Sequence, residues 1–174
     1  GKMMVDLNQQ VPVYYPVDDS KMKSILKLYN YEKKPLNPEI IFSEENDDWV
    51  KEKVAFDSPF GDRIMGYLFL PKNAANPFQC ILWNPHGGVY EMGFPADWAA
   101  EKLYKDNINH GRAFFVIVPK GSPERKWEYG ENNPDISTHL FRDRVMRWII
   151  EQRIVLDYLY SRSDIDTNKI AYIT

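Results

Sequence analysis

Residues 164–174 read DIDTNKIAYIT: a polar turn over Asp164–Asn168, then Lys169, then the apolar run Ile170-Ala171-Tyr172-Ile173. That run has the length and residue types of a buried strand. The clearest helical pattern of the chain stands just before it. In THLFRDRVMRWIIEQRIVLDYLYSR (138–162), Phe141, Val145, Trp148, Ile149, Val155, Leu156 and Leu159 form an apolar face, with arginine and aspartate between them. Before the helix lies AFFVIVPK (113–120), an unbroken apolar run that predicts a strand covered on both faces. Strand, helix and strand in this order predict a right-handed parallel crossover.

The same logic extends toward the N-terminus. CILWNPHGG (80–88) is a short strand ending in a glycine pair. ADWAAEKLYKDN (96–107) reads as a helix with Trp98, Leu103 and Tyr104 as its apolar members. Gly111 in INHGR is the signal that stops it. VKEKVAFDSP (50–59) and RIMGYLFLPK (63–72) form a hairpin with Gly61 in its turn. Residues 1–45 are weakly patterned, with two prolines in VPVYYPV. A short helix is predicted from Asp18, Asp19 or Ser20 as cap, through Met22, Ile25, Leu26 and Tyr29, and KPLNP ends it. The expected organisation is an N-terminal extension over 1–45 and one α/β unit over 46–174, ordered β-β-β-α-β-loop-α-β.

Composition narrows the function classes. The 174 residues carry 22 basic and 25 acidic side chains, a net charge of −3, which argues against a nucleic-acid partner. With 44% hydrophobic residues the chain is globular rather than disordered. His86, His110 and His139 are scattered and Cys80 is the only cysteine, so no metal-ligand spacing and no intrachain disulfide arise. No stretch approaches the roughly 18 apolar residues of a membrane span. GKMMVDLNQQ contains no signal-peptide core, and Gly1 suits an expression remnant or a terminus left by signal cleavage. Cytoplasmic and secreted or periplasmic settings are both compatible with one cysteine.

Chemistry concentrates in two loops. In Asn84-Pro85-His86-Gly87-Gly88-Val89-Tyr90 the two glycines allow close backbone approach and inward amides, as one half of an oxyanion hole requires. The same residues also suit a plain tight β-to-α turn. His86 there reads as a loop-orienting residue. HGGVYEMG is not the dinucleotide fingerprint, so no nucleotide cofactor is expected. The second loop, KGSPERKWEYGENNPDIS (120–137), could line a substrate mouth with Lys120, Arg125, Lys126 and Trp127, although a solvated charged loop explains them more simply. Arg142, Asp143, Arg144 and Arg147 read as a solvated or salt-bridged helix face. None of the eight serines lies in G-x-S-x-G, and no triad can be drawn within the sequence.

The hairpin, the strand ending in HGG, and "DID-x-x-KIAY-x" after the long helix resemble the α/β-hydrolase superfamily over residues 40–174. The branch is that of dienelactone hydrolases, acetyl xylan esterases and prolyl oligopeptidases. EKVAFDSPFGDRIMGYLFLPKNAANPFQCILWNP (52–85) and FRDRVMRWIIEQRIVLDYLYSRSDIDTNKIAYIT (141–174) look especially similar to hydrolase domains found alone or fused to bacterial serine/threonine kinases. The resemblance implies the N-terminal half of that fold, ending before the nucleophile elbow. It implies a nucleophilic serine, then an acid and a histidine, all after Thr174, with no catalytic residue inside the chain and no metal or cofactor. It implies an oxyanion-hole amide from Gly87, Gly88 or Val89, with Val89 replacing a third glycine of the HGGG pattern. His86, Tyr90, Trp127 and Tyr129 would then border the mouth for a small ester or peptide-like substrate. The 174 residues alone are expected to be inactive. The rival expectation is a hydrolase-like scaffold kept for binding or regulation. Were 174 residues the whole product, the final strand would leave a raw sheet edge prone to self-association.

Overall fold

The computed structural model describes residues 15–85, Val89, 95–99, 101–128 and 134–174. The chain divides into two compact units between Asn30 and Tyr31. In the first unit, helix α1 (Asp19–Lys27) begins at Asp18, whose carboxylate accepts the backbone N–H of Lys21 at 2.9 Å. That bond satisfies one of the amides a helix start leaves open.

The second unit is a six-stranded mixed sheet. Its strands are β1 (Glu39–Glu45), β2 (Trp49–Asp57), β3 (Arg63–Pro71), β4 (Phe78–Trp83), β5 (Ala113–Val118) and β6 (Ile165–Ile173), in the spatial order β1-β2-β3-β5-β4-β6. The first three strands run antiparallel to their neighbours, whereas β4 pairs parallel with both β5 and β6. Strand β1 falls in the stretch where sequence patterning shows no strand. Ile40, Ile41 and Phe42 follow one another without alternation, and all of β1 is exposed at the sheet edge, so no period-2 signal arises.

Helices cover both faces. One face carries α2 (Ala96–Ala99) and α3 (Glu101–Asn109), with Tyr104 stacked on Phe69 at 4.1 Å in a core that includes Trp83, Val89, Phe114 and Val116. Ile108 is buried there, while Trp98, expected as an apolar member of this helix, is 55% exposed on α2. Gly111 ends α3 at φ +73°, donating to the carbonyl of Ile108 at 2.8 Å. The left-handed backbone there is what the sequence signal anticipated.

The other face carries α4 (His139–Ser161), capped by Thr138, whose hydroxyl accepts from Phe141 N at 3.2 Å. Tyr158 stacks on Phe56 at 4.8 Å and meets Phe115 at 6.0 Å. Of the seven apolar residues expected to define its packing face, Val155 and Leu159 are buried. The rest of that face is made by Ile150, Ile154, Tyr158 and the charged Arg144 and Glu151. Apolar side chains lie almost all around this helix, so spacing alone does not single out one face.

β5 is buried at every position, as its unbroken apolar run requires. The polar turn read in DIDTN persists as an irregularity in β6. Ile165 pairs with Phe78 and Ile170 with Cys80, so the segment between them bulges out of register.

Candidate active site

The three parallel strands β4, β5 and β6 end on the same side of the sheet, and ligand sites of open α/β sheets form beyond those ends. At the end of β4, Asn84 N donates to the carbonyl of Ile173 at 3.0 Å, so the segment leaving β4 and the end of β6 lie side by side. Asn84, Pro85, Trp148, Ile149, Gln152 and Thr174 surround a recess of 340 Å³ at this place. Its floor is fixed from α4: Trp148 Nε1 donates to the carbonyl of Lys120 at 2.7 Å, and Tyr172 Oη donates to Gln152 Oε1 at 3.0 Å.

His86, Gly87, Gly88, Tyr90 and Tyr129 lie outside the described residues. Val89 is 1% exposed, its side chain in the core with Trp83 and Ala96. Where the chain resumes after that loop, α2 is pinned by two carboxylates. Glu124 accepts Ala96 N at 3.0 Å, Lys53 Nζ at 2.7 Å and Tyr67 Oη at 2.5 Å. Asp97 takes Lys51 at 2.9 Å. Burial alone would raise the Glu124 carboxyl, but the hydrogen bonds from Lys53, Tyr67 and Ala96 N hold it below its usual range. Burial, with Glu124 as acceptor, pushes the Tyr67 phenol far up, so it stays a donor.

The loop after β5 departs from the solvated reading. Lys126 is exposed, but Lys120 and Arg125 are buried at 6% and 5% exposure. Arg125 forms a bidentate pair with Glu151 at 2.8 and 2.9 Å and donates to the carbonyl of Val118 at 2.9 Å. Asp62, from the β2–β3 turn, takes Arg147 at 2.6 Å, Lys120 at 3.1 Å and Arg125 at 3.3 Å. Burial would raise the Asp62 carboxyl, but Arg125, Arg147 and Lys120 together hold it below its usual value. On α4, Arg142 and Asp143 pair in solvent as expected. Arg144 is buried and Arg147 half-buried, because both lie over aromatic rings. Trp127 is half-buried, its ring 6.3 Å from that of Trp148, and it lines a separate recess with Phe60, Lys120 and Leu140 rather than the one at the strand ends.

Sequence reading did not single out Asp62, Glu124, Glu151 or Trp148. Trp148 was visible only as one apolar position among many. Asp62 and Glu124 have no local signature, since the partners of their side chains lie 28 to 85 positions away, and the buried partner of Glu151, Arg125, is 26 positions away although Arg147 stands one turn before it. Among the described residues no group of His, Cys, Asp or Glu could hold a metal ion. No helix among them is long and apolar enough to cross a membrane.

Strand order β2-β3-β5-β4-β6, with two antiparallel strands leading into a parallel set and helices on both faces, is the α/β-hydrolase arrangement. Solved esterases share it. A glucuronoyl esterase from Solibacter usitatus superposes with a TM-score of 0.59 at 18% identity, over 94% of this chain and 58% of that one. Acetyl xylan esterase 1 from Thermoanaerobacterium sp. JW/SL YS485 gives 0.63 at 9% identity, over 90% and 50%. In sequence the chain is 22% identical over 156 residues to "Putative hydrolase YtaP" of Bacillus subtilis (strain 168), across 82% of this chain and 50% of that protein. No family model matches the chain. The fold is therefore that of the α/β-hydrolases, and the chain spans about half the length of the curated relative it matches.

Proposed function

We propose that this chain is the N-terminal part of a serine hydrolase that cleaves an ester or peptide-like bond in a small molecule. The observation that supports the reading is the Asn84–Ile173 hydrogen bond, which sets the first residue after β4 beside the end of β6. In an α/β-hydrolase the strand at the position of β6 delivers the nucleophilic serine, and the loop after the strand at the position of β4 supplies an amide to the oxyanion. The serine attacks the carbonyl, a histidine takes its proton, and an aspartate or glutamate orients that histidine. Water then releases the acyl group. All three residues are assigned beyond Thr174. Gly87, Gly88 or Val89 offers the amide, and His86, Tyr90, Trp127 and Tyr129 border the mouth. The recess at Asn84, Trp148 and Thr174 is a fitting wall for the acyl group.

The test is hydrolysis of p-nitrophenyl acetate by the full-length protein and by a variant whose first serine after β6 is alanine. We expect activity that falls by about 10³-fold or more in the variant. A full-length protein with no activity on esters or peptide-like substrates would instead be a hydrolase-like scaffold used for binding or regulation.

A further inference from the structure

Glu124 joins three elements through one carboxylate. Its Oε1 accepts from Lys53 Nζ on β2 at 2.7 Å and from Tyr67 Oη on β3 at 2.5 Å. Its Oε2 accepts from the backbone N–H of Ala96, the first residue of α2, at 3.0 Å. One oxygen grips the sheet, and the other grips the chain as it returns from the loop after β4. The Lys53 and Glu124 side chains are 17% and 16% exposed, so water competes little for these bonds. Burial works against the charge on Glu124, but the bonds from Lys53, Tyr67 and Ala96 outweigh it and keep the group a carboxylate.

The stretch that returns at Ala96 leaves β4 at Asn84, where the bond from Asn84 N to the Ile173 carbonyl ties it to β6. Between those ends, Val89 is 1% exposed in the same core as Tyr67 and Ala96, which are 4% and 0% exposed. Glu124 therefore bonds to two residues of the core that holds Val89. Protein interiors are close-packed, so a shift of Ala96 or Tyr67 is felt by the other members of that core.

We propose that Glu124 is a positioning residue for hydrolysis: by holding Ala96 against β2 and β3, it keeps Val89 and the oxyanion amide of its segment in register with the end of β6. The inference rests on the serine-hydrolase reading. As the serine attacks, negative charge gathers on the ester carbonyl oxygen, and a misplaced amide loses its effect in the transition state rather than in the bound substrate. Glu124 itself neither touches substrate nor exchanges a proton.

Glu124→Gln keeps the shape and breaks one bond selectively. Lys53 offers only donors, so the amide oxygen turns to Lys53 and Tyr67, and the NH2 group is left facing the N–H of Ala96. The test is hydrolysis of p-nitrophenyl acetate and butyrate by the full-length parent and variant, with active sites counted by a fluorophosphonate. We expect kcat per active site to fall about tenfold on both esters, with KM within about twofold. An equal loss on both marks the carbonyl contact, whereas a disturbed acyl pocket would separate them. Tyr67→Phe removes only a hydroxyl and should lower kcat about threefold, and it decides the matter if the glutamine variant does not fold. Unchanged kcat per active site in a folded variant, or a loss confined to KM or to one ester, overturns the proposal alone. A parent that hydrolyses neither esters nor peptide-like substrates overturns it together with the serine-hydrolase reading.

Discussion

The indole Nε1 of Trp148 donates to the carbonyl of Lys120 at 2.7 Å, tying the middle of α4 to the first turn of the loop after β5. Trp148 also lines the recess at the strand ends, so this bond holds one of its lining residues in place. Trp148→Phe keeps most of the packing and leaves the carbonyl without its donor. A loss of about 1–3 kcal/mol is expected in urea denaturation. An unchanged midpoint would show that water replaces the indole freely.

Arg125 and Glu151 form a buried pair with side chains 2% and 0% exposed. Removing one partner leaves an uncompensated charge in the core. Glu151→Leu should cost about 3–5 kcal/mol, while the double variant Arg125→Met, Glu151→Leu should recover part of that loss. A double variant no more stable than the single would show that Asp62 and Arg147, not the pair itself, set the energy.

The depressed carboxyl of Glu124 gives stability a pH dependence. A group with a lowered folded pKa stabilises above its unfolded value, here near 4.5, and loses that contribution as pH falls through the folded value. Thermal melts of the parent protein should therefore drop as pH falls below about 4.5. Melts of Glu124→Gln should start lower and vary less over the same range. Parallel curves for the two proteins would exclude Glu124 as a source.

Gly66 in β3 faces a ring: a Cβ built on it would sit 2.2 Å from Cζ of Phe115. Phe115 is fully buried, so it has little room to yield. Gly66→Ala should destabilise by about 1–3 kcal/mol, and adding Phe115→Leu should relieve part of the loss.

Much of this fold is legible from one-dimensional patterning because each decisive element carries a local signal. The fully apolar AFFVIV run and Gly111 each announce a structure that forms there. Elements decided by distant partners do not. β1 is held by pairing with β2 rather than by an alternating face, and Glu151 is buried because Arg125 meets it across the fold. For the same reason Lys120 and Arg125 pass as loop charges in sequence yet are interior ion-pair members. Within the candidate site, Trp127 could be named from its loop, whereas Trp148 acquires meaning only once Lys120 and Thr174 lie against it.

The most direct test of the central claim is to label the full-length protein with a fluorophosphonate and map the modified peptide. The account predicts one labelled serine, in the peptide that continues β6 past Thr174. No labelling of a folded protein, or a label on a serine within residues 1–174, would contradict it.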